Sequence, residues 1–154
     1  MTTDFRYTAS GLDNIVLIGL EECIDDDGDR CVTIPHITEL HRVIAHSILT
    51  RESGISGKEL RFLRTEMGLT QAELAKIVKR EALAIGRWER GEFELDSNAE
   101  ALIRLVASER LNIKIDVPIE QVSAWCVPSA VNEPIMIDAS DPSNYRPIPP
   151  QKAA

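Results

Sequence analysis

No stretch of this 154-residue chain approaches the roughly eighteen consecutive apolar residues that a membrane helix needs, so no helical span is expected. Its start, MTTDFRYTAS, lacks a basic segment followed by an apolar block, so no signal peptide and a cytoplasmic location are expected. Cysteine is scarce. Cys23, Cys31 and Cys126 are odd in number and match no disulfide framework, which predicts reduced, largely buried thiols. There is no glycine-rich phosphate loop, no G-x-S-x-G elbow and no H-E-x-x-H pair. Nor does any local signature join a cysteine to one of the three histidines as nucleophile and base. No catalytic residue, cofactor or enzymatic activity is therefore expected.

The charge is uneven. The net charge is −8, which taken whole disfavours loose association with polyanions. Residues 1–50 carry 9 acidic and 3 basic side chains, and residues 111–154 carry 5 and 3. Residues 51–110 carry 11 of each, and so hold most of the 17 basic residues. A polyanion, if one binds, is expected there.

Residues 5–34 read as extended. Phe5-Arg6-Tyr7-Thr8, Ile15-Val16-Leu17-Ile18 and Cys31-Val32-Thr33-Ile34 are rich in aromatic and β-branched residues. Asp25-Asp26-Asp27-Gly28-Asp29 is a turn signal between the last two. The pattern predicts a small antiparallel sheet with an acidic hairpin tip. The aspartates do not make a calcium loop, because Gly28 is misplaced and no closing Glu follows. Residues 38–50 read as a helix, with Leu40, Val43, Ile44 and Ile48 on one face and Thr38 as N-cap. His36, His41 and His46 are spaced by five, which rotates successive helical positions by about 140° and points the rings apart. With no close Cys or His pairs, no zinc site is expected.

RESGISG at 51–57 reads as a linker, and four short helices follow. Ser56-x-x-Glu59, Thr70-x-x-Glu73 and Ser97-x-x-Glu100 are capping-box patterns that open helices at about 57–67, 70–78 and 97–108. The last has an apparent apolar stripe of Leu102, Leu105 and Val106. Another helix spans about 81–90, with Ile85 and Trp88 inward and Gly91 ending it. Seven of the eight prolines fall in 118–154, and no glycine follows Gly91. Ile119, Val122, Trp125, Val127, Ile135 and Ile137 are too apolar for a plain linker, so an extended arm is expected, with residues 139–154 lacking regular structure. The fold class is α+β. Its expected parts are a β-rich module with one helix (1–52), a four- to five-helix domain (56–110) and a proline-rich arm (111–154).

Leu69-Thr70-Gln71-Ala72-Glu73-Leu74-Ala75-Lys76-Ile77-Val78 followed by Ile85-Gly86-Arg87-Trp88-Glu89-Arg90-Gly91 resembles the Xre/Cro-type helix-turn-helix family over about residues 57–108. The extended start from Tyr7-Thr8-Ala9-Ser10-Gly11-Leu12-Asp13-Asn14 is similar to regulators of the MqsA antitoxin type. The zinc module of MqsA itself rests on paired cysteines that this chain lacks, so no metal carries over. The Xre/Cro resemblance implies a recognition helix at about 81–90 entering the major groove of double-stranded DNA. It places Gln71 at the phosphate backbone and Ala82, Leu83, Gly86 and Arg87 toward the groove. Lys79, Arg80 and Arg90 would flank that helix and pair with phosphates. Ala75, Ile85 and Trp88 match core positions, and Arg64 with Glu89 matches an internal ion pair.

Three departures stand out. Lys79 occupies a turn where the family has glycine, which predicts a left-handed lysine. Arg80 and Glu81 replace an apolar residue and a Ser or Thr cap. Glu92-Phe93-Glu94 stands where a basic residue often faces phosphate. The expected function is a homodimeric, autoregulating repressor reading an inverted repeat, with dimer contacts from the arm around Trp125 or from the 97–108 helix. The alternative is an antitoxin whose acidic N-terminal half binds a basic toxin.

Overall fold

The computed structural model describes residues 2–126 and 134–149, and among these the chain is α+β, with one mixed sheet of five strands and six helices. The described residues divide into two compact units, one formed by residues 2–47 and 134–149, the other by residues 48–126. Among the described residues, no helix is long and apolar enough to cross a membrane.

The first unit contains β1 (Thr2–Arg6), β2 (Ile15–Ile24), β3 (Arg30–Val32) and most of α1 (Ile37–Leu49). The chain returns to it as β4 (Ile135–Asp138) and β5 (Arg146–Ile148). β2 pairs antiparallel with β1 and β3, and β4 pairs antiparallel with β5. β2 and β4 run parallel, with Ile15 opposite Ile135 and Leu17 opposite Ile137. All four of these side chains are buried. The sheet is therefore mixed rather than purely antiparallel. Residues 139–149, expected to lack regular structure, instead include an edge strand. Pro147 is tolerated in β5 because β5 is an outer strand of the sheet. Residues 150–154, and Val127 of the expected arm, lie outside the described residues.

One β-bulge sets the phase of β2. Thr3 faces Leu20 and Phe5 faces Leu17, so Ile18 and Gly19 together oppose the single residue Asp4. Gly19 has φ +81°, the left-handed conformation that a bulge of this kind uses. The extra residue moves Leu20 onto the buried side, in step with Ile15 and Leu17. The β2–β3 tip is a tight turn. Asp25 Oδ1 accepts from Asp27 N (3.1 Å) and Asp29 N (2.8 Å), so this carboxylate is used by local backbone. In α1 Leu40, Ile44 and Ile48 are buried as the spacing implied and Val43 is partly so, but the helix begins at Ile37 and Thr38 lies inside its first turn. The Tyr7 hydroxyl lies 2.7 Å from His41 Nε2, and the Tyr145 hydroxyl donates to the Pro35 carbonyl.

The second unit holds α2 (Gly57–Glu66), α3 (Gln71–Val78), α4 (Ala82–Glu89), α5 (Ser97–Arg110) and α6 (Ile119–Trp125). Complete capping boxes open α2 (Ser56 with Glu59) and α3 (Thr70 with Glu73). Gly57 is part of the packing rather than of a free linker. A Cβ there would stand within 2.8 Å of the Glu89 carbonyl oxygen and closer still to that of Trp88. The cap of α5 is Asp96, which accepts from Ala99 N at 3.2 Å, not Ser97. The buried face of α5 also differs from the expected stripe. Leu102 and Leu105 are exposed, while Ala99, Glu100, Ile103, Arg104 and Ala107 are buried.

Burial of Glu100 and Arg104 turns the core of this unit into a charge cluster. Arg104 is fully buried. Its Nη1 donates to the carbonyls of Leu49 (3.2 Å) and Arg51 (2.9 Å), and its Nη2 donates to Ser53 O. The guanidinium also lies 5.7 Å from the ring centroid of Trp125, a cation–π distance. Glu100 accepts from Ile55 N and lies 4.0 Å from Arg104. Nearby, Arg51 makes a two-point contact with Glu59 (2.6 and 2.5 Å) and donates to Gly54 O (2.9 Å). Burial raises the Glu100 carboxyl and lowers Arg104, while the opposite charges act against both shifts.

Removing Arg104 leaves three carbonyls without their donor and Glu100 buried without its nearest cation. Arg104→Met should cost about 3–5 kcal/mol of folding free energy, read from urea denaturation. Glu100→Gln, which keeps an acceptor for Ile55 N–H, should cost clearly less. Equal losses for the two variants would argue against this account.

Candidate nucleic-acid interface

The α3–α4 pair is built around a left-handed turn. Lys79 ends α3 with φ 60° and ψ 43°, and Arg80 N returns to the Ala75 carbonyl at 2.9 Å. This is the conformation predicted from a lysine at a glycine position. Glu81 is the N-cap of α4 but makes no side-chain cap bond. Leu74, Ala75 and Val78 of α3 and Ile85 and Trp88 of α4 are buried, so the two helices meet through their apolar sides.

Glu89 ties three helices together. Arg64 Nε lies 2.6 Å from Glu89 Oε2, and Arg64 Nη2 lies 3.0 Å from Oε1. The third guanidinium nitrogen, Nη1, donates to Leu69 O at 3.0 Å. The bond to Glu89 holds the guanidinium above its ordinary value. Gln71 Nε2 also donates to Glu89 Oε1, at 3.1 Å. Gln71, expected at a phosphate, is thus anchored in this structure by the same carboxylate that binds Arg64.

The outer side of α4 presents Ala82, Leu83, Arg87 and Arg90, all exposed, with Leu83 at 57%. Gly86 departs from expectation. It is buried beneath neighbouring side chains rather than open, because Arg90 and Gln71 arch over it. A Cβ at Gly86 would stand 3.1 Å from Arg90 Nη1 and 3.3 Å from Gln71 Oε1.

The basic groups around this face are engaged by the segment that follows. Arg90 Nε donates to Glu92 Oε1 at 3.1 Å, and Arg87 Nε lies 3.9 Å from Glu92 Oε2. These guanidinium contacts, the Arg90 hydrogen bond foremost, hold the Glu92 carboxyl below its ordinary value. The Arg87 guanidinium also lies 5.6 Å from the Phe93 ring centroid. Arg80 Nη2 donates to Asp96 Oδ2 at 2.7 Å. Sequence reading takes Glu92 as a repulsive neighbour of phosphate. The structure gives it a second part, as a ligand of two arginines. The signal was in the sequence, since Glu92 follows Arg90 by two positions and the tight turn at Gly91 (φ +75°) folds it back. Lys79 is exposed beside this face.

This arrangement can present a short helix edge with one central guanidinium, two small or apolar side chains and cationic rims. Such a surface suits a polyanion that offers phosphates at its flanks and a hydrogen-bonding edge at its centre. Any such ligand has to take Arg87 and Arg90 away from Glu92. Among the described residues, no group of three or more His, Cys, Asp or Glu side chains could hold a metal ion.

The strain at Lys79 is measurable. A left-handed non-glycine residue costs roughly 1–2 kcal/mol, and glycine returns about 0.5–1 kcal/mol of that in chain entropy. Lys79→Gly should therefore stabilise the protein by about 0.5–1 kcal/mol, seen as a higher urea midpoint with an unchanged slope. Lys79→Ala removes the same charge without relieving the backbone and should give no such gain. Comparison of the chain with protein-family models, with curated proteins and with solved structures finds no match.

Proposed function

We propose that the chain is a sequence-specific DNA-binding regulator of the Xre/Cro helix-turn-helix type, with α4 as the recognition helix. The observation that carries this reading is the outer side of α4. Ala82, Leu83 and Arg87 are exposed along one short helix, with Lys79, Arg80 and Arg90 at its borders. In that role Arg87 reads guanine O6 and N7 through two hydrogen bonds, and Ala82 and Leu83 meet thymine methyl groups. Lys79, Arg80 and Arg90 contact phosphates, and Gln71 does so from the start of α3.

One eight-residue helix reads few base pairs, so the regulator acts as a homodimer on an inverted repeat with half-sites about one helical turn apart. Trp125, an expected dimer contact, is 8% exposed and lies against Arg104 of its own unit. The exposure of Leu102 and Leu105 supports α5 as the pairing surface in this reading. Repression of its own or a neighbouring operon is the corresponding biological role. An antitoxin role is the second reading. It is favoured by one observation: Glu21, Asp25, Asp26, Asp27 and Asp29 are all exposed at the β2–β3 end. It would be supported if the small basic product of an overlapping gene co-purifies with this chain.

Fluorescence anisotropy on DNA from upstream of the coding region, at two salt concentrations, tests the main reading. Wild type should bind tightly and scrambled DNA should not. Arg87→Ala should lose about 1–3 kcal/mol of affinity and relax preference at one base pair. Weak binding that ignores sequence and vanishes in modest salt would overturn it. Light scattering at micromolar concentration should give a dimer, and Leu102→Glu with Leu105→Glu should give a monomer.

A further inference from the structure

Two of the three cysteines, remote in character from the third, face each other across the β2–β3 hairpin. Cys23 lies directly opposite Cys31 in the antiparallel register. Opposed residues in such a ladder have Cα atoms about 4.5–5.5 Å apart, inside the roughly 4.4–6.8 Å span of disulfides. Cys23 Sγ leans across the hairpin to within 3.4 Å of the Cys31 carbonyl oxygen. Cys23 is exposed and Cys31 partly so. Cys126 is buried, and burial pushes its thiol up to about 12.

We propose that Cys23 and Cys31 are a dithiol pair that closes to a cross-strand disulfide on reaction with a low-molecular-weight disulfide. The more exposed Cys23 loses its proton and its sulfur attacks one sulfur of the reagent. The reagent's S–S bond breaks, one thiolate leaves and takes up that proton, and Cys23 carries a mixed disulfide. Cys31 then gives up its proton and attacks Cys23 Sγ. The second thiol of the reagent leaves with that proton. Two cysteine thiols are oxidised and one small disulfide is reduced to two thiols.

The surroundings select the oxidant. Asp25, Asp26, Asp27 and Asp29 are exposed at the tip of the hairpin, and Arg30 is the nearby cation, 4.0 Å from Glu22. The hydrogen bond between the two thiols raises Cys31 further, so it resolves rather than initiates. A negative field disfavours the approach of an anionic reagent. Neutral small disulfides are the matching class, ahead of the anionic disulfide of glutathione.

The full-length protein is incubated with hydroxyethyl disulfide, quenched in acid, denatured and alkylated. The expected product has lost the mass of two hydrogen atoms and takes up one alkyl group per chain, on Cys126. Trypsin cuts after Arg30, between the two cysteines, so the bond should appear as two linked peptides. Cys31→Ser should stop at the mixed disulfide on Cys23, and Cys126→Ser should close normally. Oxidised glutathione at equal concentration should react more slowly. Three alkylated cysteines, a lasting mixed disulfide on the wild-type chain or cross-links between chains would each overturn the proposal.

Discussion

A single guanidinium organises the helical unit. The segment from Thr50 to Ile55 has no helix or strand of its own, and its end at Gly54 and Ile55 is buried. Backbone groups removed from water need partners, and side chains have to supply them. Arg104 answers three carbonyls, Arg51 a fourth, and Glu100 takes the Ile55 N–H. That segment leads directly into the Ser56 cap of α2, and Glu59 serves both the cap and Arg51. The cluster has two positive and two negative groups, so the desolvation of each is offset by the others. The start of α2, the inner face of α5 and the stacking of Trp125 all depend on it. Since α2 and α3 frame α4, the placement of the exposed Arg87 rests on the same buried charges.

The charges of the helical unit are paired in two sets, one inside and one around α4. The 11 acidic residues of positions 51–110 are not spread as a uniform screen. Glu59, Glu89 and Glu100 are spent inside, on Arg51, Arg64 and Arg104. Glu92 and Asp96 remain outside, on Arg87, Arg90 and Arg80. In the proposed role, association with a phosphate chain is an exchange of one anion for another. The cost of that exchange is small, because exposed ion pairs are weak individually.

Much of the helical unit was legible because its signals are local. Ser56 with Glu59 and Thr70 with Glu73 are four-residue patterns that carry their own hydrogen bonds. The left-handed backbone of Lys79 was expected from the resemblance, which puts glycine at that turn. Hairpin residues Cys31 and Val32 were likewise found from composition and a turn. What stayed hidden is non-local. Burial of Arg104 has no pattern in sequence, since only the 49–55 segment, some fifty positions away, gives it a reason. Leu102 and Leu105 misled because apolarity stood in for direction, while the true inner face of α5 carries charges. Gly86 was placed outward by the family resemblance, and the long side chains that cover it cannot be read from spacing. The parallel pairing of β2 with β4 joins residues 120 positions apart.

That last pairing bears on how the chain is made. During synthesis, β2 emerges long before β4, and the entire helical unit is translated between them. The helices draw on neighbouring sequence and can form as they leave the ribosome, whereas the sheet has to wait for its third partner. Until then Ile15 and Leu17 have no strand beside them on the β4 side. Contacts so distant in sequence close slowly, because a long loop must first be brought together. The sheet is thus the late-maturing part of the molecule. In a nascent or stalled chain the acidic hairpin would be displayed without its completed core, a state in which chaperones and proteases have their best access.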